Sequence, residues 1–496
     1  WSISTSSVLV VIIILLSILK MRGFWSNPQR KNFPPGPRAL PIIGNLLSFD
    51  VKRPYRTYLQ LSEKYGPVFS VQMGQRKIVV ISGYETVKEA LVNQADAFAG
   101  RPKIPVFEDL TKGNGNGWIV FANGENWKVM RRFTLTTLRD FGMGKKAIED
   151  RIVEEYGYLA DAIASQQGKP FDGSKIINTA VANIIVSILL GKRFDYQDSR
   201  FIRLIRLTNE NTRLAGKPLV TMYNIFPYLG FLLRANKTLL QNRDEFHDYI
   251  RVTFLDYLKN LDKNDQRSFI DAFLVKQQEE KSTTNQYFHN DNLLSLVSNL
   301  FIAGVETITT TLNWGFLLML KYPTIQRKVQ EEIEQVIGSN PPRIEHRTQM
   351  PYTDAVIHEI QRFANILPLD LPHETVADVT LKGYFIPKGT YIIPLLSSVL
   401  RDKTQWENPD LFYPEHFLDA NGKFVKKDAF MPFSAGRRLC AGETLAKMEL
   451  FLFFTSLLQR FTFQPPPGVS TSDLDLSPAV SFNVIPKPYQ MCAVKR

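Results

Sequence analysis

A mainly α chain with a small β portion, set behind an N-terminal membrane anchor, is what three features of this sequence predict. Apolar residues recur at helical spacing from about Thr86 to Leu320 and again in later stretches. Only short alternating or continuous apolar runs of strand type interrupt them. The opening segment, Trp1 to Leu19, carries no charge at all.

That opening segment contains "VLVVIIILLSIL" and is followed by Lys20, Arg22, Arg30 and Lys31. At 1.5 Å per residue it is just long enough to cross a hydrocarbon layer of ~30 Å. Positive charge only on its C-terminal side places the remainder in the cytoplasm. A cleaved signal peptide expects its positive charge before the apolar run and small residues after it, and neither is present. Residues 1–21 therefore read as the anchor, and 22–40 as a basic, proline-rich hinge in which Pro34, Pro35 and Pro37 disfavour helix on either side.

Next come two strand-like runs, "VFSVQM" and "KIVVIS", around the turn-like "GQR". The helical region beyond them is broken by "GNGNG" at Gly113 to Gly117, read as a mobile loop, and by a polar, solvated connection around Lys281 to Asn292. The segment "DNLLSLVSNLFIAGVETITTTLNWGFLLMLKYP" is the longest nearly uncharged helix pattern away from the terminus. Polar residues recur along it, so it belongs in the protein centre rather than in lipid, and Pro323 ends it. Amphipathic helices follow in "PTIQRKVQEEIEQVIG" and "YTDAVIHEIQRFAN", then β-rich pieces around "GYFIPKGTYIIPLL", then the helix "ETLAKMELFLFFTSLLQRF". No internal repeat or low-complexity tract is present.

Composition narrows the function classes. A chain of 496 residues, 44% hydrophobic, buries a core large enough for an enzyme. Two cysteines supply neither a disulfide framework nor a four-cysteine zinc site, and the body suits a reducing compartment. The net charge of +12 points to acidic partners, but no basic stripe interleaved with aromatics and no nucleic-acid motif accompanies it.

Four constellations carry chemistry. In "FSAGRRLCAG", Cys440 stands between Gly436 and Gly442, beside Arg437 and Arg438, just before a helix whose N-terminal dipole points back at the sulfur. All of these lower a thiol pKa from ~8.5 and favour thiolate. A cysteine nucleophile paired with histidine has no hydrolase-type signature among the six histidines. A buried cysteine acting as a small hydrophobe fits these surroundings poorly. In "AGVET", Glu306 and Thr307 interrupt an apolar helix. The bland account has Thr307 bonding back to the Ala303 carbonyl while Glu306 finds a buried partner. The functional one adds a groove beside Ala303 and Gly304 for a flat cofactor, with both residues relaying protons.

Glu359 and Arg362 in "HEIQR" share a helix face. Exposed, such a pair contributes ~0.2–0.5 kcal/mol. Buried, it becomes a folding determinant. In "WKVMRR", Trp127 and Arg131 offer an indole donor and a guanidinium four apart, and with Arg101, His373 and Arg438 they suit the carboxylates of a cofactor.

These four motifs, in this order and spacing from Pro34 to the C-terminus, resemble those of the cytochrome P-450 superfamily. "FSAGRRLCAG" is similar to its haem-binding signature at Phe433, Gly436, Arg438, Cys440 and Gly442. The proline hinge, "FGMGKKAIEDRI" at Phe141 to Ile152, "RFDY" and "MPYTDAVIHEIQR" resemble the vertebrate microsomal family 2 enzymes. The resemblance implies an α-rich body around haem b with a small β-rich subdomain, over residues 41–496. It implies that Cys440 ligates the iron, that Phe433 packs near the sulfur, that Arg101, Trp127, Arg131, His373 and Arg438 hold the propionates, and that Glu306 and Thr307 deliver protons to dioxygen. Family position puts Phe107, Phe121, Ala303, Leu367, Leu371 and Phe482 in the substrate pocket. The Glu359–Arg362 pair expects an arginine as third partner, where this chain has His416.

The activity so implied is monooxygenation of small lipophilic compounds such as fatty acids, steroids or xenobiotics, at the endoplasmic reticulum membrane with the catalytic body in the cytosol. Electrons would come from NADPH through a flavoprotein reductase, with a membrane cytochrome b as a further partner. Lys128, Arg132 and Arg437 are candidates for the basic surface those acidic proteins meet. Two rivals stay open at this level. One is a haem-thiolate isomerase or dehydratase needing no external electrons, and the other is a non-catalytic haem sensor or lipid binder. Near the C-terminus Cys492 has no evident redox role.

Overall fold

The computed structural model describes residues 32–111, 119–230, 236–259, 261–280 and 287–496. The anchor over 1–21, the hinge up to residue 31, the "GNGNG" loop and the first half of the polar connection, 281–286, lie outside them. The chain forms two compact units, one from residues before 103 with 369–395 and one from 103–368 with 396–496.

The first unit is built on the strands foreseen from alternation. Helix α1 (Pro54–Tyr65) packs on β1 (Val68–Met73), which turns into β2 (Arg76–Ile81) in an antiparallel register of Val68 with Ile81. The later strands β3 (His373–Glu374), β4 (Val379–Leu381), β5 (Tyr384–Ile386) and β6 (Tyr391–Pro394) complete it. The main sheet runs β1-β2-β6-β3, with β6 parallel to β2 and antiparallel to β3, while β4 and β5 form a separate hairpin. A return strand from more than 300 residues downstream thus sits in the middle of the sheet, where its Ile392 and Ile393 are buried.

The second unit is helical. In order it contains α2 (Pro105–Leu110), α3 (Gly124–Asp140), α4 (Lys146–Ala164), α5 (Gly173–Leu190), α6 (Ser199–Ala215), α7 (Pro218–Ile225), α8 (Lys237–Lys259) and α9 (Phe269–Glu279). The long α10 (Asn290–Lys321) follows, then α11 (Pro323–Val336), α12 (Pro351–Ala364) and α13 (Glu443–Arg460). Capping explains several starts. Asp172, Asp198 and Ser268 accept bonds from first-turn amides of α5, α6 and α9, and His289 Nδ1 accepts from Asn292 N at 3.3 Å to open α10. Proline occupies the first turn of α11 and α12, where its missing N–H removes no bond.

Helix α10 is the axis of this unit and packs on α5, α12 and α13. Among the described helices, α5 and α10 are long and apolar enough to span a membrane, yet both are mostly buried inside the protein. The polar residues along α10 predict that interior position. Two short ladders close the C-terminal region. Strand β7 (Phe461–Gln464) pairs antiparallel with β10 (Cys492–Lys495), and β8 (Pro478–Ala479) pairs with β9 (Ile485–Pro486). The first of these corrects the helical reading of "QRF", because α13 stops at Arg460 and Phe461 opens a strand.

Candidate active site

The cysteine loop is shaped by its glycines and by one arginine. Gly436 takes φ +72°, a conformation costly for a side chain, and starts a single turn over Gly436–Arg438. Cys440 N then donates to Phe433 O at 3.0 Å, closing the loop just before α13 begins at Glu443. The Cys440 side chain is exposed rather than packed, which excludes the inert core cysteine. At Gly442 a Cβ would stand 4.0 Å from Cys440 Sγ, an ordinary contact, and the residue needs no unusual dihedral. Phe433 is half-buried beneath Lys447, whose Nζ lies 5.6 Å from the ring centre.

Helix α3 brings its motif to this loop. Arg131 Nη2 donates to Leu439 O at 2.6 Å. Burial pulls the Arg131 guanidinium below its usual range, while the charge of Cys440 pulls it back, so the two groups support each other's ionised forms. Arg438 is buried with its guanidinium 3.7 Å over the Trp127 ring, donating to Ala122 O at 2.8 Å and Asn123 Oδ1 at 3.1 Å. Trp127 is itself buried, and its Nε1–H has no partner among the described residues. A buried indole donor without an acceptor costs about 1–3 kcal/mol unless something else receives it.

In the first unit, Gly100 and Glu374 exchange backbone bonds, N to O at 3.0 Å and 2.8 Å in the two directions. A Cβ at Gly100 would fall 2.6 Å from Glu374 O, so only glycine allows that approach. The bridge sets Arg101 beside His373. Arg101 Nη1 donates to Leu371 O at 2.7 Å and Pro372 O at 2.8 Å, and His373 Nδ1 lies 2.6 Å from Phe98 O.

On α10 the side chain of Ala303 is exposed although the helix around it is buried, from Phe301 to Val305 to Ile308. Gly304 turns the other way. A Cβ there would meet Ile185 Cδ1 at 2.5 Å, so Gly304 serves close packing of α10 on α5, and the expected groove beside Ala303 and Gly304 is corrected to Ala303 alone. Thr307 Oγ1 donates to Ala303 O at 2.7 Å, the local bond anticipated for a helical threonine. Glu306 is half-buried, and burial pushes its carboxyl up to about 7, opposed by Arg213 on α6. With the Asn209 amide turned to suit the network, its nitrogen lies 2.7 Å from Glu306 Oε1 and its oxygen accepts from Asn178 Nδ2 at 2.6 Å.

These residues fit a haem. No group of three or more His, Cys, Asp or Glu suited to a bare metal ion occurs among the described residues. A single thiolate suits an iron whose remaining ligands a macrocycle would supply. The orphaned Trp127 donor with Arg438 and Arg131 matches a carboxylate-bearing rim, and the outward-facing Ala303 leaves a helix face on which a flat ring can lie.

The expected pocket residues divide. Phe107 on α2 stacks on Phe121 at 4.3 Å and meets Phe482 edge-on at 6.2 Å, forming one aromatic cluster over the apolar group of Val106, Val220 and Leu239. Leu367 is half-buried after α12, and Leu371 lies in the first unit. Sequence reasoning missed the polar fastening of this cluster, in which Tyr223 and Asn236 both donate to Asp109 Oδ2 on α2. It also missed Asn178 and Asn209. A polar residue inside the strongly apolar "INTAVANIIVSILL" was the available signal.

Glu359 and Arg362 are wholly buried, the condition under which such a pair is expected to determine folding. Arg362 Nε and Nη2 grip Glu359 at 2.7 Å each, and its other donors reach Leu400 O, Pro409 O and Leu411 O at 2.8 Å. His416 Nδ1 stands 3.1 Å from Glu359 Oε2 and Asn408 N lies 3.5 Å from His416 Nε2. An imidazole therefore takes the third place beside the Glu359–Arg362 pair.

Comparison with known proteins agrees with the motif reading. A family model described as Cytochrome P450 matches residues 34–493. Cytochrome P450 2K4 of Oncorhynchus mykiss is 51% identical over 492 residues, covering 98% of this chain and 96% of the relative. Cytochrome P450 2K6 of Danio rerio is 51% identical over 466 residues, covering 92% and 90%. Cytochrome P450 2F3 of Capra hircus is 45% identical over 498 residues, covering 100% of both.

Proposed function

We propose that this chain, which belongs to the cytochrome P450 family and is a monooxygenase, oxidises small lipophilic compounds with haem held by Cys440. Bound haem would supply the iron chemistry that divides dioxygen, one atom entering substrate and one leaving as water. Cys440 would hold the haem iron through its thiolate, kept ionised by Arg131 and by the start of α13. Trp127, Arg131 and Arg438 would receive a haem carboxylate. Arg101 and His373, fixed by the Gly100–Glu374 bridge, offer the same donor chemistry in the first unit.

The aromatic cluster of Phe107, Phe121 and Phe482 favours apolar substrates, because no fixed charge belongs to it. Fatty acids, steroids and xenobiotics share that property. Electrons would come from NADPH through a flavoprotein reductase, with a membrane cytochrome b as a second donor. Lys128, Arg132 and Arg437 are exposed on and beside the elements that carry Trp127 and Cys440, which suits an acidic partner. The uncharged N-terminal run and the microsomal character of the family 2 relatives support a seat on the endoplasmic reticulum with the body in the cytosol.

The observation that carries the proton-handling part is the pairing on one turn of α10 of a hydroxyl facing the Ala303 side with a carboxyl poised near 7. Glu306 can both hold and release a proton at working pH, and Thr307 can pass it on. Replacing Thr307 by Ala removes one local bond and should leave fold and haem intact. We expect T307A to consume NADPH with reductase while releasing hydrogen peroxide in place of product. Product formed per NADPH at the wild-type ratio would remove Thr307 from proton delivery.

A further inference from the structure

Glu306 faces a problem that its position on α10 creates. A carboxyl that must alternate between charged and neutral forms in a poorly solvated place loses a hydrogen bond in one form unless its partner can both donate and accept. A backbone group cannot do both, and neither can an arginine. A primary amide can, by turning about its last torsion.

The neighbours of Glu306 are of that kind. From α6 the Asn209 amide lies 2.7 Å from Oε1, and from α5 the Asn178 amide lies 2.6 Å behind it. In one polarity the ionised carboxylate accepts from Asn209, whose oxygen accepts from Asn178, and the Asn209 nitrogen also lies 3.2 Å from Ile205 O. In the other, a protonated Glu306 donates to the Asn209 oxygen, and the Asn209 nitrogen donates to the Asn178 oxygen. Asn178 is 7% exposed, and its Oδ1 has no partner among the described residues in the first polarity. Turning that amide exchanges an unsatisfied oxygen for an unsatisfied nitrogen, and the bond from the Asn209 nitrogen to Ile205 O belongs to the first polarity alone. The charge acting on Glu306 is Arg213, one turn along α6 from Asn209.

We propose that Asn209 and Asn178 form a reversible amide relay that hydrogen-bonds Glu306 in both protonation states, so that the carboxyl gives up and regains a proton without being stranded. The amides lose no proton and only rotate. When the proton leaves the Glu306 O–H the carboxylate accepts from the Asn209 nitrogen, and when a proton returns the O–H donates to the Asn209 oxygen. Asn209 and Asn178 are thus positioning residues, and their use in turnover rests on the proton-delivery reading above, whereas the relay itself does not.

The test is an infrared pH titration of the resting, oxidised holoenzyme, with no turnover. The Glu306 carboxyl band is assigned by its loss in E306Q, and the asparagine side-chain amides are marked with nitrogen-15. In wild type we expect the carboxyl to titrate near 7 with labelled amide bands changing over the same range. A charge-assisted bond is stronger than a neutral one, so N209L should raise the carboxyl midpoint by about one to two units, and N178L should raise it by less. A merely structural asparagine would lower thermal stability and leave the midpoint in place. An unmoved midpoint in folded N209L overturns the relay. So do wild-type amide bands that ignore the carboxyl titration, a result that needs no variant to fold. Full coupling in both T307A and E306Q would instead count against the proton-delivery reading.

Discussion

Replacing Arg362 should cost more stability than replacing any other charged residue in the four motifs, and the structure sets the size. Its five N–H donors reach both oxygens of Glu359 and the carbonyls of Leu400, Pro409 and Leu411, and both charged residues are wholly buried. In R362M the Glu359 carboxylate keeps Tyr413 N at 2.8 Å and His416 Nδ1 at 3.1 Å but loses its counter-charge. A stranded buried charge costs about 3–5 kcal/mol. The three carbonyls add about 1 kcal/mol each until water enters the 400–411 loop and recovers most of it. A loss of about 3–5 kcal/mol is a third or more of a typical domain's stability of about 5–15 kcal/mol. R362K keeps the charge with three donors and no planar fork, and should lose about 2 kcal/mol. The assay is urea unfolding followed by far-ultraviolet circular dichroism, with and without haem. Methionine within 1 kcal/mol of arginine, or lysine equal to it, would refute the reasoning.

Two further outcomes follow from buried polar groups. Glu306 is raised to about 7 from 4.5, so below about 4.5 both folded and unfolded chains hold the proton and the group contributes nothing. As pH climbs from there to about 7, the unfolded chain releases its proton first and folding loses of order 2–3 kcal/mol. E306Q should therefore match wild type in urea near pH 4.5 and exceed it above pH 7, and equal stability at both would contradict the raised carboxyl. Trp127 Nε1 has no protein acceptor among the described residues, so W127F should leave the haem-free protein as stable or about 1 kcal/mol more stable while speeding haem transfer to apomyoglobin. An unchanged haem-transfer rate would dissociate the indole from the cofactor.

Much of the fold was written in local pattern. Alternation gave β1 and β2, and the mixed polar and apolar run from Asn290 to Lys321 read as a central helix because its polar residues argued against lipid. The four motifs located Cys440, Glu306, Trp127 and Glu359 because each pairs residue types that are costly unless used. What stayed hidden depends on partners far along the chain. Strand β7 forms because β10 arrives 28 residues later, and the end of α13 is satisfied by Gln330 of α11, whose Nε2 donates to Leu458 O and Phe461 O. Spacing offered Glu359 and Arg362 as an ordinary pair, and their burial does not follow from spacing. Gly304 looked like room for a cofactor, but which side of α10 it faces is set by Ile185 on another helix. The amides of Asn178 and Asn209 carry no motif, and their meaning emerges only when α5 and α6 bring them to Glu306.

The most direct measurement is the absorbance difference produced by carbon monoxide on the dithionite-reduced protein, for wild type and C440S. Thiolate ligation by Cys440 predicts a strongly red-shifted Soret band in wild type that is lost in the variant. Haem binding without that shift in wild type, or the same shifted band in C440S, would contradict the assignment on which the whole site rests.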